Sequence, residues 1–226
     1  DRRFGYHVIS FLDYSQNPYR AEKDSIIRKW NLGITKDSRG EYRKGKLVNP
    51  SHPLVFYIDT CCPSEFVPYI KEGVLAWNAA FEKAGFKNAL RVKMADSKTV
   101  LEEQRAVIAY DLSETGIRTS YTFHPKTGEI LSCRVNIGHG FLPKELWRYV
   151  LECGTVDERI RKDMFHPDVA GEILRSKMMR AVGSVLGLKE NLAGSVAYTV
   201  EQVKSAAWLK TYGYTASIMD NNPYNY

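Results

Sequence analysis

The five histidines, His7, His52, His124, His139 and His166, are the side chains of this chain best suited to acid–base or metal chemistry. Their spacing limits what they can do. Two neutral imidazoles at i and i+4 would point from one helix face at one metal ion, and no two of the five stand four apart. His124 and His166 each precede a proline, where capping or solvent exposure is expected. His139, between Gly138 and Gly140 at the end of an alternating run, is the histidine to examine as an acid or base. No Gly-x-Ser-x-Gly elbow and no phosphate-cradling glycine loop occurs, and Ser184 follows Gly183 inside an apolar-periodic segment with no evident base. Cys61, Cys62, Cys133 and Cys153 lack the paired spacing of a zinc knuckle, and neighbours such as Cys61 and Cys62 are poorly placed to bond each other. Buried free thiols are the expectation.

The elements that must position these groups can be read from periodicity. Ile173, Leu174, Met178, Ala181, Val182, Val185 and Leu186 recur at three- and four-residue steps, as one buried face of a helix requires. That helix opens near Pro167 or Asp168, and Gly187 is placed to end it in a left-handed turn. A second helix is predicted from Val67 to Ala84, stopped by Gly85, and a third from Leu142 to Cys153 with Pro143 in its first turn. Leu54–Asp59, Leu90–Met94, Ala106–Tyr110 and Thr119–Phe123 read as strands. After the turn residues 124–128, Ile130–Ile137 alternates, with Leu131, Cys133, Val135 and Ile137 on one face. Residues 4–14 suit an extended arm or edge strand, while Asp37–Pro53 and Asp96–Gln104 read as polar connectors.

Composition excludes several classes. With 226 residues, 44% hydrophobic and 26% charged, the chain can bury one substantial core and is not disordered. Its net charge of +6 is spread along the chain, so no nucleic-acid partner is expected. No run approaches the ~20 apolar residues of a membrane span.

With these elements in place, the segment from Ser176 to Asn191 resembles the zinc helix of the bacterial metzincin-type metalloproteases, whose pattern is His-Glu-x-x-His-x-x-Gly-x-x-His. Val182, Gly183, Leu186, Gly187, Leu188 and Asn191 suit that pattern. The chemistry-bearing positions do not: the first two histidines fall on Arg180 and Ser184, the catalytic glutamate on Ala181, and the third histidine on Glu190. Arg180 is permanently cationic with no lone pair for a metal, Ala181 cannot take a proton, and Ser184 is a poor zinc ligand. The resemblance extends to Asp1–Tyr6, Val55–Asp59, Pro68–Val74, Trp77–Asn78, Ala80–Asn88, Thr127–Ile130, Gly194–Tyr198 and Ser217–Asp220, the last similar to the methionine turn beneath the metal.

This resemblance implies an α+β metzincin-like fold, a twisted mixed sheet packed on two long helices with the methionine turn near the C-terminus. It implies residues 1–190 as an upper lobe with an N-terminal arm and 191–226 as the start of a lower one. It also implies an excised domain of an exported, periplasmic, cell-envelope or extracellular bacterial protein. Met219 would floor the ligand positions, and 127–137 would border a cleft able to take an extended peptide by strand addition. The family cofactor is zinc. With every metal and catalytic position replaced, the expectation is no cofactor, no metal ligand and no catalytic residue. What remains is an inactive metalloprotease-like domain that binds peptide or protein in the old cleft or acts structurally. The alternative is a working zinc metallopeptidase whose ligands lie outside the motif, His139 among them. An Arg180–Glu190 ion pair, with Ser184 as a hydrogen-bond partner, is expected where the metal would sit.

Overall fold

A computed structural model describes residues 5–15, 17, 19–96, 106–220 and 224. Positions 1–4 of the first resembling stretch, and the connector beyond Asp96, lie outside the described residues.

The apolar runs form the sheet. Strands β3 (Leu54–Ile58), β4 (Leu90–Met94), β5 (Ala106–Asp111), β6 (Ile117–Phe123) and β7 (Ile130–Gly138) lie in the order β4-β3-β5-β7-β6. The first four in that order are parallel, and β6 returns antiparallel along β7 as one edge. Ala106–Ala109 is buried at every position, as a parallel strand covered on both faces must be. Along β7, Cys133, Val135 and Ile137 face the core as the alternation predicts, whereas Leu131 is exposed; the ladder shifts register between Thr122 and Phe123, just opposite. An N-terminal hairpin, β1 (Val8–Asp13) with β2 (Glu22–Ile27), stands apart as a second, two-stranded sheet. The polar connector 37–53 contains one short helix, α1 (Arg39–Arg43).

Where one helix was expected over 67–84 there are two, α2 (Val67–Leu75) and α3 (Asn78–Lys83). The break sits at Trp77. Its backbone N–H takes the tighter bond to Val74, and its indole donates to the Met179 carbonyl at 2.8 Å, which fixes the kink against the next layer. Asn78 then bonds both backbone groups of Leu90, tying α3 to the first residue of β4. After β7 come α4 (Phe141–Cys153), α5 (Glu158–Lys162) and the longest helix, α6 (Pro167–Val185). Pro167 and an N-cap from the His166 imidazole to Asp168 N–H start α6; Gly187, at φ +99°, turns the chain out of it.

Helix α6 lies across the sheet, and α2 lies against it. The two approach so closely at Gly73 that an added Cβ would sit 2.8 Å from Met178 Cβ and 2.9 Å from the Arg175 carbonyl. Their shared core includes Phe56, Ile70, Val74, Leu174, Met178 and Val182. The expected α+β architecture with a mixed sheet is observed; in place of two long helices, several helices accompany the sheet, α2 with nine residues and α6 with nineteen. Beyond α6 lie a 3₁₀ turn (Leu192–Val196) and two short helices, α7 (Val200–Lys204) and α8 (Ala206–Tyr212), which no apolar period announces. Among the described residues no helix is long and apolar enough to cross a membrane.

Candidate functional site

Three elements bring together the positions that the resemblance singles out. Arg180, Ala181 and Ser184 stand on the last turns of α6, Glu190 follows the Gly187 turn, and Met219 arrives from the chain's end. All five line one cavity of about 350 Å³, whose other walls are the start of β6 and the first turn of α4.

The N-terminal arm fixes the loop that carries Glu190. His7 N–H donates to the Gly187 carbonyl at 2.8 Å, and Lys189 N–H to the Gly5 carbonyl at 2.7 Å, so residues 5–7 run antiparallel to 187–189. The same pairing brings His7 into the cavity wall, a role no spacing rule announces, because its partner lies 180 residues along the chain. Burial, then the nearby charges of Arg28 and Lys189, hold the His7 imidazole below its usual pKa.

Arg180 is three-quarters buried, and its guanidinium makes two bonds that join separate segments. One amine donates to Glu190 Oε1 at 2.5 Å, the other to the main-chain carbonyl of Asp220. The expected ion pair is present, and a third segment joins it. Ser184 departs from expectation: its hydroxyl lies 3.3 Å from Thr119 Oγ1 on β6 and so links α6 to the sheet edge instead of the ion pair. Met219 is buried. Gly183 leaves room for it, since a Cβ there would come within 2.4 Å of Met219 Sδ and 2.7 Å of the Trp77 ring. The neighbouring Asp220 carboxylate, buried, accepts from Ser195 at 2.6 Å and Thr215 at 3.2 Å.

The α4 wall carries a second charged group. Glu145 accepts from Lys177 Nζ at 2.9 Å and from the Tyr224 hydroxyl at 2.8 Å. Burial opposes its ionisation, but those two hydrogen bonds and the charge of Lys177 outweigh it, and its carboxyl sits below the usual glutamate value.

His139 is not part of this constellation. It lines a separate apolar cavity of about 390 Å³, at the carboxyl ends of the parallel strands, and shares a 2.7 Å hydrogen bond with Tyr110. Phe141 and Lys144, which follow it in the chain, line the Arg180 cavity, whereas His139 itself lines the other one. All four cysteines are free; Cys61, expected to be buried, is exposed. Burial pushes the Cys62 thiol up to about 11 and that of Cys133 to about 12, which leaves both protonated and unreactive near neutrality.

Strand β6 closes the cleft on its open side. Gly138 donates its N–H to the Gly116 carbonyl at 2.9 Å, so by antiparallel alternation the backbone groups of Arg118 and Ser120 point at β7. Those of Ile117, Thr119 and Tyr121 point outward, and among the described residues they pair with no other backbone.

Residues 162–226 match the family model described as Met-zincin. The match covers that segment, over which the chain is similar to metzincin-type proteins. No curated protein and no solved structure matches it. The metal that a metzincin implies is zinc, and the residues present do not fit it. Arg180 offers no lone pair and is already bonded, Ser184 is turned to Thr119, and Glu190 alone cannot hold the ion. Among the described residues no group of three His, Cys, Asp or Glu side chains could hold a metal ion.

Proposed function

We propose that this metzincin-type domain is non-catalytic, with Arg180, Ala181, Ser184 and Glu190 in the places of ligands and base, and that it holds an extended peptide or protein segment along β6. The observation that carries the reading is the pairing of an occupied motif with an open edge. Arg180 ties α6, the 190 loop and the methionine turn together, as a metal's ligands would. The outward backbone groups of Ile117, Thr119 and Tyr121 remain free to accept a strand, with the 350 Å³ cavity beneath for its side chains. The arm, sheet and α6 form the wall of this cleft, and residues from about 191 onward begin a lower lobe that Met219 fastens beneath it.

Substitution on β6 tests the reading. Thr119→Pro removes one outward N–H while sparing the bonds to β7, since proline is tolerated where an edge strand's N–H faces solvent. Thr119→Val controls for loss of the Ser184 contact. Retention of a random hexapeptide library on the immobilised protein should fall about tenfold or more for Thr119→Pro, because several main-chain bonds of ~1 kcal/mol depend on that register, and little for Thr119→Val. Equal retention by wild type and Thr119→Pro would remove the edge from the binding site.

A further inference from the structure

The charges around the cleft are distributed unevenly along β6, and that distribution carries a direction. Within the cleft, Lys177 is paired to Glu145 at 2.9 Å and Arg180 to Glu190 at 2.5 Å, so both acids that line it already have a cation. Lys144 also lines the cavity, is exposed, and pairs with no acid among the described residues. It stands in the first turn of α4, whose positive macrodipole end adds to its charge. That turn lies against the start of β6: a Cβ on Gly140, the residue before α4, would be 3.1 Å from Thr115 Cγ2. The opposite end of the cleft is marked by His7, whose ring is 6.3 Å from that of Tyr121. A strand added antiparallel to β6 therefore ends, at its C-terminus, beside Thr115 and Lys144. A parallel strand would bring its N-terminal ammonium there instead, against the ammonium of Lys144, and parallel pairing is also the weaker ladder.

We infer that the cleft takes the C-terminal end of a peptide, run antiparallel to β6 with its terminal carboxylate on Lys144. This rests on the proposal that β6 accepts a strand, and it deepens that proposal by fixing both direction and terminus. The free ammonium of Lys144 supplies the charge; the remaining Nζ hydrogens of Lys177, whose third side is the Tyr224 ring at 5.4 Å, are within the same cavity wall. No bond is made or broken, and the recognised group is a carboxylate at the end of an extended backbone.

The experiment uses one N-terminally fluorescein-labelled random hexapeptide library prepared twice, as C-terminal acids and as C-terminal amides, with fluorescence anisotropy on the full chain. The acid library should bind about fivefold more tightly than the amide library, the scale of a single part-exposed charge pair. Lys144→Met should bring acid binding down to the amide level, and raising salt should narrow the acid–amide gap in the wild type. Equal binding of acids and amides by the wild type would overturn the carboxylate assignment while leaving strand addition standing. An acid preference that survives Lys144→Met would overturn the role of Lys144. Binding of neither library would remove strand addition and the carboxylate site together.

Discussion

Helix α6 presents two faces that obey different rules. Toward α2 and the sheet it shows Gly171, Ile173, Leu174, Met178 and Val182, all buried, and backbone approaches backbone wherever glycine allows. Toward the cleft it shows Lys177, Arg180 and Ser184, each bonded to a different segment: the α4 wall, the 190 loop with Asp220, and β6. The first face is constrained by shape, and a close-packed interior punishes any change of volume. The second is constrained by pairing, and any residue that satisfies its neighbours is admissible there. That difference explains how a guanidinium, a methyl, a hydroxyl and a carboxylate can all stand on one cleft wall while the packing behind it stays intact.

The packing face should be the more fragile. Gly73→Ala drives a Cβ to 2.8 Å from Met178 Cβ and 2.9 Å from a main-chain carbonyl, neither of which can swing aside. Chemical denaturation should show a loss of about 2–3 kcal/mol, the upper part of the range for overpacked cores. A loss comparable to a surface substitution would mean that the two helices slide freely and that the contrast between the faces is overstated.

The cleft face should break locally. Arg180→Met removes the donor to the Asp220 carbonyl and the cation beside Glu190, at a cost of about 1–2 kcal/mol for charge-assisted bonds that are only partly screened. Hydrogen exchange should quicken in residues 190–196 and 215–220 while β3, β5 and the α2–α6 core stay protected. Uniform quickening across the core would show that Arg180 belongs energetically to the packing face.

The smallest effect should come from His7. Its imidazole is held below the usual value near 6.5, so the folded state binds its proton less readily than the unfolded state. Its contribution to stability is full above that unfolded value and is lost as pH falls towards the lowered folded one. Denaturation midpoints at pH 7.5 and 5 should differ slightly less in His7→Gln than in the wild type. An unchanged difference would take the imidazole out of the buried wall.

The strands at Leu54, Leu90, Ala106 and Ile130 and the helix ending at Gly187 were legible in the chain because each rests on a local period and a local stop signal. The break at Trp77 was not: the apolar spacing runs straight through it, and the kink is set by an indole reaching a carbonyl 102 residues away. The Arg180–Glu190 pair was legible only because the resemblance to metzincins implies which positions converge. Asp220 as the third member and Thr119 as the partner of Ser184 were not, since a backbone carbonyl and a threonine carry no motif. His139 shows the converse, a residue whose type and neighbours advertised chemistry and whose side chain lies in another cavity, bonded to Tyr110.

By itself, then, the sequence determined the identity of the layers and the presence of Arg180, Ala181, Ser184 and Glu190 where the resemblance would place zinc ligands and a base, because periodicity and residue chemistry are local properties. Only the tertiary structure decided what Arg180, Ser184 and Glu190 hold on to, that His7 enters the cleft, and that Lys144, which pairs with no acid among the described residues, stands at one end of β6. Those depend on which distant segments the packed core brings within hydrogen-bonding reach, and no local pattern encodes that distance.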